Sequence, residues 1–233
     1  MKKLILAAVA LTSAASVFAQ GTVIFNNRSG GTTHVYAPSG PTDYTSVTGN
    51  GSNDSQPAGV TYGSRVAIGA SGLSGQYGAS STLSQLLGAN GAGAAESSLL
   101  PASQPPSSFR TGTAAGGVAN STATFANIPL DAAHATFEMV AWDDSSGLYP
   151  TWTQASTAWA QGLIAAGKSP LFNLDNIGGT ANVPQTLFNT QNGSAANGGL
   201  QSFNLYFIQV PEPTTAALAG LGAAAFLIFR RRK

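Results

Sequence analysis

The chain has 233 residues and is almost uncharged: it contains 10 Lys and Arg, 9 Asp and Glu and no Cys, and charged residues make up only 8% of it. In an ordinary soluble domain about a quarter of the residues are charged. The cations are concentrated at both ends, and residues 20–209 contain four cations against eight acids. A body of this charge has too few cations for a nucleic-acid-binding face. The absence of Cys excludes thiolate zinc sites, disulfides and cysteine nucleophiles.

Residues 1–19 have the three parts of a secretory signal peptide. Lys2 and Lys3 precede a short apolar run, and small residues lead up to Ala19. We expect cleavage after Ala19, so that Gln20 becomes the first residue of the exported protein. A buried N-terminal helix is the alternative. An exported body without Cys has no disulfides and must rely on packing and backbone hydrogen bonds.

The last 24 residues also have three parts, namely a proline-rich motif, an uncharged apolar run over 214–229 and a basic tail. A helix over 214–229 is about 24 Å long, against about 30 Å for the hydrocarbon core of a membrane. Cations at the cytoplasmic end of such a helix place the body on the other side of the membrane. We therefore expect a short membrane helix that holds the body outside the cytoplasm for a time. The motif is Val210, Pro211, Glu212 and Pro213, and the tail is Arg230, Arg231, Arg232 and Lys233.

These three parts, in this order, resemble the PEP-CTERM sorting signal. The resemblance implies processing near the motif by an exosortase, an integral-membrane, transpeptidase-like enzyme of Gram-negative bacteria. Pro211 and Pro213 favour the extended, unpaired backbone that a processing enzyme can bind. The implied partners are this enzyme, the general secretion machinery and, before processing, the membrane. An ordinary single-pass anchor with a proline-bearing stalk is the alternative.

The body more weakly resembles exported proteins that have this signal in verrucomicrobial-type genomes. The shared segments are 22–26, 141–143 and 201–207. Because those proteins are uncharacterised, the resemblance implies no activity.

Residues 20–209 are long enough for one domain, and their main signal is alternation of apolar and polar residues. Short β-rich runs separated by Gly, Ser, Asn and Pro predict a mainly β fold, a single antiparallel β-sandwich or jelly roll with long loops and one short helix. Glu138 falls on the polar side of its predicted strand. Residues 69–106 are poor in bulky side chains, which predicts a long surface loop with a helical turn at 83–87 and a strand near 76–77. The predicted strands are 22–26, 33–37, 60–68, 136–142 and 203–207.

The helix is predicted from Pro150 to Gly167. Apolar residues recur at spacings of three to four between them, at Trp152, Ala155, Trp159 and Leu163. We expect the two tryptophans to pack in the core. The alternative is a platform of Trp152 and Trp159 on which sugar rings stack.

Residues 162–169 match the phosphate-binding pattern G-x-x-x-x-G-K-[ST]. That site needs a strand before the loop and a helix after it. Here the predicted helix precedes the motif, and Pro170 follows it and disfavours a helix start. We therefore predict a helix C-terminus with Gly167 and Lys168, and neither a nucleotide site nor any cofactor.

Few other residues could support chemistry. His34 and His134 are the two histidines, no G-x-S-x-G motif is present, and we expect both to be surface residues. Asp143 and Asp144 open a turn and are candidate Ca²⁺ ligands, but the spaced acidic loop of calcium sites is missing. A solvated turn is the preferred interpretation, and no other metal site is predicted.

The sequence thus predicts a non-enzymatic, exported cell-surface or extracellular-matrix protein that an exosortase-type enzyme processes. Its surface, rich in Gly, Ser, Thr and Asn, is expected to contact polysaccharide or other envelope material. One alternative is a secreted carbohydrate-binding module that uses Trp152 or Trp159. A further alternative is a secreted glycan-active hydrolase that uses Glu138, Asp143 or Asp144.

Overall fold

The computed structural model of the protein describes residues 20–55, 59–73, 75–188, 199–210 and Leu221. The predicted signal peptide (1–19), residues 211–213 of the motif, the apolar run apart from Leu221, and the basic tail (230–233) lie outside the described residues. Among the residues it does describe, no helix has both the length and the hydropathy needed to span a membrane.

Short strands and one α-helix make up the described part of the chain. The strands are β1 (Gly21–Phe25), β2 (Val35–Tyr36), β3 (Thr82–Asn90), β4 (Leu100–Pro101), β5 (Ser107–Ser108), β6 (Ser121–Phe125), β7 (His134–Asp143), β8 (Ala166–Lys168), β9 (Phe172–Asp175), β10 (Gln185–Thr186) and β11 (Phe203–Asn204). The helix is α1 (Trp152–Ala160), and Glu96–Ser98 and Gly112–Ala114 are 3₁₀ helices.

The two longest strands, β3 and β7, form the middle of a central sheet. They pair antiparallel over nine residue pairs, from Thr82 opposite Asp143 to Asn90 opposite Ala135. The other edge of β3 pairs with β4 and β5, and the other edge of β7 pairs with β8 and β9. Because successive side chains of a strand point to opposite faces, β7 divides its residues between two buried surfaces.

The first surface, here called the sandwich face, includes Phe137, Met139 and Ala141 of β7. It packs against a smaller sheet in the order β10, β1, β6. The rings of Phe137 and Phe125 meet edge to face across this core, with centroids 5.3 Å apart. The predicted mainly β sandwich is confirmed. Most pairing is antiparallel, but β1 with β10 and β2 with β11 are parallel.

The opposite surface of the central sheet, the helix face, includes Val140 and Trp142 and is covered by α1. Thr151 caps the start of the helix, because its side-chain oxygen accepts a hydrogen bond from the backbone N–H of Gln154 at 3.4 Å. Such a cap satisfies one of the free donors of the first turn. A second core of Trp, Leu and Ala side chains fills the space between helix and sheet.

The prediction of a loop over 69–106 is wrong for residues 82–90, which form β3. Leu86 packs in the core of the sandwich face and Leu87 in that of the helix face, so both sides of the strand are buried and the apolar residues do not alternate. The predicted helical turn at 83–87 is therefore also wrong. Residue 88 has to be a glycine, because the rings of Phe137 and Phe125 occupy the space that a side chain would need.

The predicted strands at 60–68 and 76–77 are also wrong. In the first segment Ala67 makes one isolated bridge, to Tyr36, and the rest is irregular. Its apolar residues alternate because Ile68 fills the core and Tyr62 stacks on Tyr36, with centroids 4.0 Å apart. In the second segment Tyr77 has a left-handed φ of 60°, which a strand does not accommodate.

The helix is shorter than predicted, since it ends at Ala160 rather than at Gly167. Gly162, with a φ of 69°, lies two residues beyond that end and turns the chain back toward the sheet. Gly167 belongs to β8, where a Cβ atom would clash with the backbone of Asn204. This glycine therefore permits a close approach of two backbones, and it is not the helix cap that we predicted.

Candidate functional site

A polar cleft of about 340 Å³ opens beside the helix face, where β7 and β8 meet the loops around residues 46–48 and 96. Glu138 comes from β7 and Lys168 from β8, and the pairing of Val140 with Lys168 puts both on the same face of the sheet. Glu96 comes from the first 3₁₀ helix and Tyr206 from the chain after β11. The other lining residues are Ser46, Thr48, Ser169, Pro170 and Leu171.

The expectation that Glu138 faces solvent is wrong, because only 3% of this residue is exposed. Its position does alternate with Phe137 and Met139, as predicted. However, the face that we expected to be polar is the helix face, where Leu87 of β3 lies opposite Glu138 and α1 packs on the neighbouring Val140 and Trp142. Glu138 is thus a carboxyl group at the edge of a second core.

Burial, and to a smaller degree the nearby charge of Glu96, raise the pKa of Glu138 to about 7 against the opposing charge of Lys168. Lys168 forms an ion pair with Glu96. Burial disfavours the charged ammonium group, but the hydrogen bond with Glu96 and the charge of Glu138 raise the pKa of Lys168 above its usual value. The cleft therefore combines one ion pair with one buried acid that titrates near neutral pH.

The two candidate stacking residues belong to the core under α1. Trp159 is only 6% exposed, and its Nε1–H donates to the backbone carbonyl of Tyr206 at 2.9 Å. Trp152 is partly buried between the rings of Trp142 and Trp159, whose centroids lie 5.7 and 6.1 Å from its own. Trp159 thus has no open ring face for a sugar.

Asp143 and Asp144 form a turn at the end of β7. Asp143 accepts hydrogen bonds from Gln76 Nε2 at 2.9 Å and from the backbone N–H of Ser145 at 3.0 Å. Asp144 accepts one from the N–H of Tyr149 at 2.8 Å. The described part of the chain has no group of three or more His, Cys, Asp or Glu residues that could hold a metal ion.

The three acids named for a hydrolase do not converge. Asp143 follows Glu138 by five residues along β7, about 17 Å at 3.3–3.4 Å per residue, and points to the other face. The carboxyl group that does approach Glu138 is that of Glu96. Sequence analysis missed Glu96 and Lys168, although Lys168 is the single lysine between residues 4 and 232.

The two histidines differ in their surroundings. His134 is 55% exposed at its side chain and pairs with Asp175 at 2.7 Å, so the prediction of a surface histidine is confirmed there. The same prediction is wrong for His34, which is mostly buried and pairs with Asp54. The reason is the parallel pairing of β2 with β11, which packs the residue before β2 against the residue before β11.

Asp54 and His34 do not form a nucleophilic triad. The Ser202 hydroxyl donates to Asp54 and not to the ring of His34. The other ring nitrogen, Nε2, lies 3.1 Å from an Nη1 donor of Arg28. Although burial opposes the charge on Asp54, hydrogen bonds from His34 and Ser202 hold the pKa of this carboxyl below its usual value. The group is a structural link between β2 and β11.

The G-x-x-x-x-G-K-[ST] match lacks the geometry of a phosphate site. α1 ends before it, β8 lies within it, and β9 follows it. The backbone N–H groups at a helix N-terminus, which bind phosphate in that motif, are absent from this position.

The chain leaves the body beside the end of α1. Val210, the residue before the three motif positions outside the described residues, is 45% exposed. It lines a shallow groove of about 260 Å³ together with Gly162 and Tyr44.

The family model of the PEP-CTERM protein-sorting motif matches residues 209–233. No curated protein matches the chain, and no solved structure does. The predicted PEP-CTERM sorting signal is thus confirmed, and it marks the chain as cargo for export and for exosortase processing at the membrane. The match lies in the tail, so it assigns no role to the cleft.

Proposed function

We propose that the protein is delivered to the cell surface or the extracellular matrix after an exosortase-type enzyme removes its tail. Its non-catalytic body then contacts polysaccharide or other envelope material. The observation that carries this proposal is the sorting motif, which directly follows a folded β-sandwich.

Two features of the body support it. Val210, the first residue of the motif, is exposed, so the start of the motif is open to an enzyme. The body also has few charges and many Gly, Ser, Thr and Asn residues, and it therefore offers hydrogen-bonding groups without a strong net field.

Cell fractionation combined with intact-mass measurement tests the proposal. The mature protein is followed in cells with and without the exosortase-type enzyme. We expect it in the surface or extracellular fraction with the mass of a chain that lacks its basic tail, and in the membrane fraction with its tail when the enzyme is absent. Cytoplasmic protein, or an intact tail in cells that have the enzyme, would contradict the proposal.

A carbohydrate-binding body is the second candidate, and the polar cleft favours it. The cleft contains carboxylate, ammonium and hydroxyl groups beside an aromatic ring, so it offers hydrogen-bonding groups and a ring face to a saccharide. The hydrolase alternative gains no support from Asp143 or Asp144, because both are used in turn hydrogen bonds.

A further inference from the structure

Glu138 differs from the other acidic side chains that the structure describes. Each of the others accepts a hydrogen bond or forms an ion pair, as Asp43 does with Arg65 and Asp175 with His134. No described residue donates a hydrogen bond to Glu138, whose electrostatic neighbours are Glu96 and Lys168. Among the described residues, Thr82 Oγ1 is the only fully buried side-chain polar atom without a partner, so the carboxyl oxygens of Glu138 are open to the cleft, where water or a ligand supplies their partner.

The cost of this arrangement is substantial. A buried carboxylate without a hydrogen bond is unfavourable, and its strand neighbour Val140 shows that an apolar side chain fits the same face. The carboxyl group instead lines an open cleft. A ligand in the cleft would supply the hydrogen bond that the protein does not.

The lining determines the chemistry of that ligand. Glu138 and Glu96 accept hydrogen bonds, Lys168 donates them, and the hydroxyl groups of Ser46 and Thr48 do both. Tyr206, Pro170 and Leu171 add a ring face and apolar surface. A ligand that matches has several hydroxyl groups around a compact ring with apolar C–H faces.

From these contacts we propose that the cleft binds one saccharide unit of an envelope polysaccharide. A ring hydroxyl donates to the Glu138 carboxylate, a neighbouring oxygen accepts from Lys168, and the ring packs beside Tyr206. The volume of about 340 Å³ lies at the lower end of the range for small-molecule sites, roughly 300–1,000 Å³. This inference rests on the proposed function, which brings the body into contact with polysaccharide.

A divalent cation fits the cleft less well. Ca²⁺ takes six to eight oxygen ligands, whereas the cleft offers two acidic side chains, and one of them is paired with Lys168. The ammonium group would also repel a cation. Cation binding is therefore an alternative outcome of the experiment and not part of the proposal.

Calorimetric titration of the purified full chain in detergent tests the proposal. The probes are maltotetraose, chitotetraose, tetragalacturonate and, separately, CaCl₂, at pH 8, where Glu138 is mostly ionised. We expect at least one of the two neutral oligosaccharides to bind. Glu138→Gln and Lys168→Met should each raise its Kd by about tenfold or more, as the loss of a hydrogen bond to a charged group predicts.

Glu212→Gln is the matched control. It makes the same chemical change at a residue of the sorting motif, and it should leave the Kd unchanged while it slows tail removal in cells. Thermal unfolding of each variant verifies that it is folded. Binding of Ca²⁺ alone, no binding of a neutral oligosaccharide, or binding that neither cleft variant weakens would overturn the proposal. Because processing is measured separately, a failure of the sorting proposal is distinguishable from a failure of this one.

Discussion

Gly88 and Phe137 lie directly opposite each other in β3 and β7, and the ring of Phe137 occupies the space that a side chain at residue 88 would need. A Cβ atom there would lie 2.8 Å from Cε1 of Phe137 and 2.9 Å from Cε1 of Phe125. The packing in the middle of the fold therefore requires that residue 88 has no side chain.

Gly88→Ala should therefore destabilise the protein by about 1–3 kcal/mol, since overpacking forces neighbouring rings and backbone to shift. The measurement is the free energy of unfolding in urea. Gly40→Ala is the control, because a Cβ atom at residue 40 meets nothing within 4 Å. Equal stability of the two variants would contradict this account of the core.

Glu138 should make the protein less stable as the pH rises. Its pKa is about 7 in the folded protein, against 4.5 ordinarily, so the native state binds more protons than the unfolded state between these values. The free energy of unfolding then falls as pH increases from about 4.5 to 8, by at most about 3 kcal/mol. Glu96, Lys168 and Tyr206 are the titratable groups that face it.

Urea unfolding of the wild type and of Glu138→Gln across this pH range measures the effect. The glutamine variant should match or exceed the wild type at pH 8, and its advantage should shrink toward pH 4.5. A wild-type advantage that grows with pH would contradict the burial that we describe.

Arg65 and Asp43 form a two-point ion pair, with Nε–Oδ2 and Nη2–Oδ1 distances of 2.8 and 2.7 Å. A lysine cannot reproduce both hydrogen bonds. Arg65→Lys should therefore cost about 1–2 kcal/mol in the free energy of unfolding. Arg110→Lys is a matched change at an exposed position and should have almost no effect. A similar cost for both variants would mean that the geometry of the pair is unimportant.

Trp159→Ala should destabilise the protein by about 3–5 kcal/mol, because the side chain is buried under α1 and its loss leaves a cavity. Trp152→Ala should cost less, since Trp152 is only partly buried. Thermal unfolding of both variants gives the comparison. Loss of oligosaccharide binding without any loss of stability would instead favour the stacking platform.

Features that are local in the sequence were predictable, and those that depend on the whole fold were not. The sorting signal is one continuous segment, so its parts can be identified in order. β1 and β7 were predicted because apolar residues alternate on the sandwich face. β3 was missed because both of its faces are buried, and no property of residues 82–90 reveals the helix that covers one of them.

The cleft could not be predicted for a related reason. Glu96 and Lys168 are 72 positions apart in the sequence and meet through their ion pair, and the pairing of β7 with β8 places Glu138 beside Lys168. In a strand where apolar and polar residues alternate, a single acidic residue normally indicates a side chain that faces solvent. Only the assembled fold shows that Glu138 is buried, beside Lys168, Tyr206 and the loops that line the cleft.

The backbone contact between β8 and the segment that follows β11 also limits where the protein can be cut. Tyr206 bridges Ala166 and accepts the indole hydrogen bond of Trp159, and the N–H of Phe207 donates to the carbonyl of Asp43 at 2.8 Å. A cut before residue 206 would separate Tyr206 and Phe207 from the body and remove their contacts with β8, α1 and Asp43. Four residues further on, at Pro211, a cut would lie beyond all of these contacts.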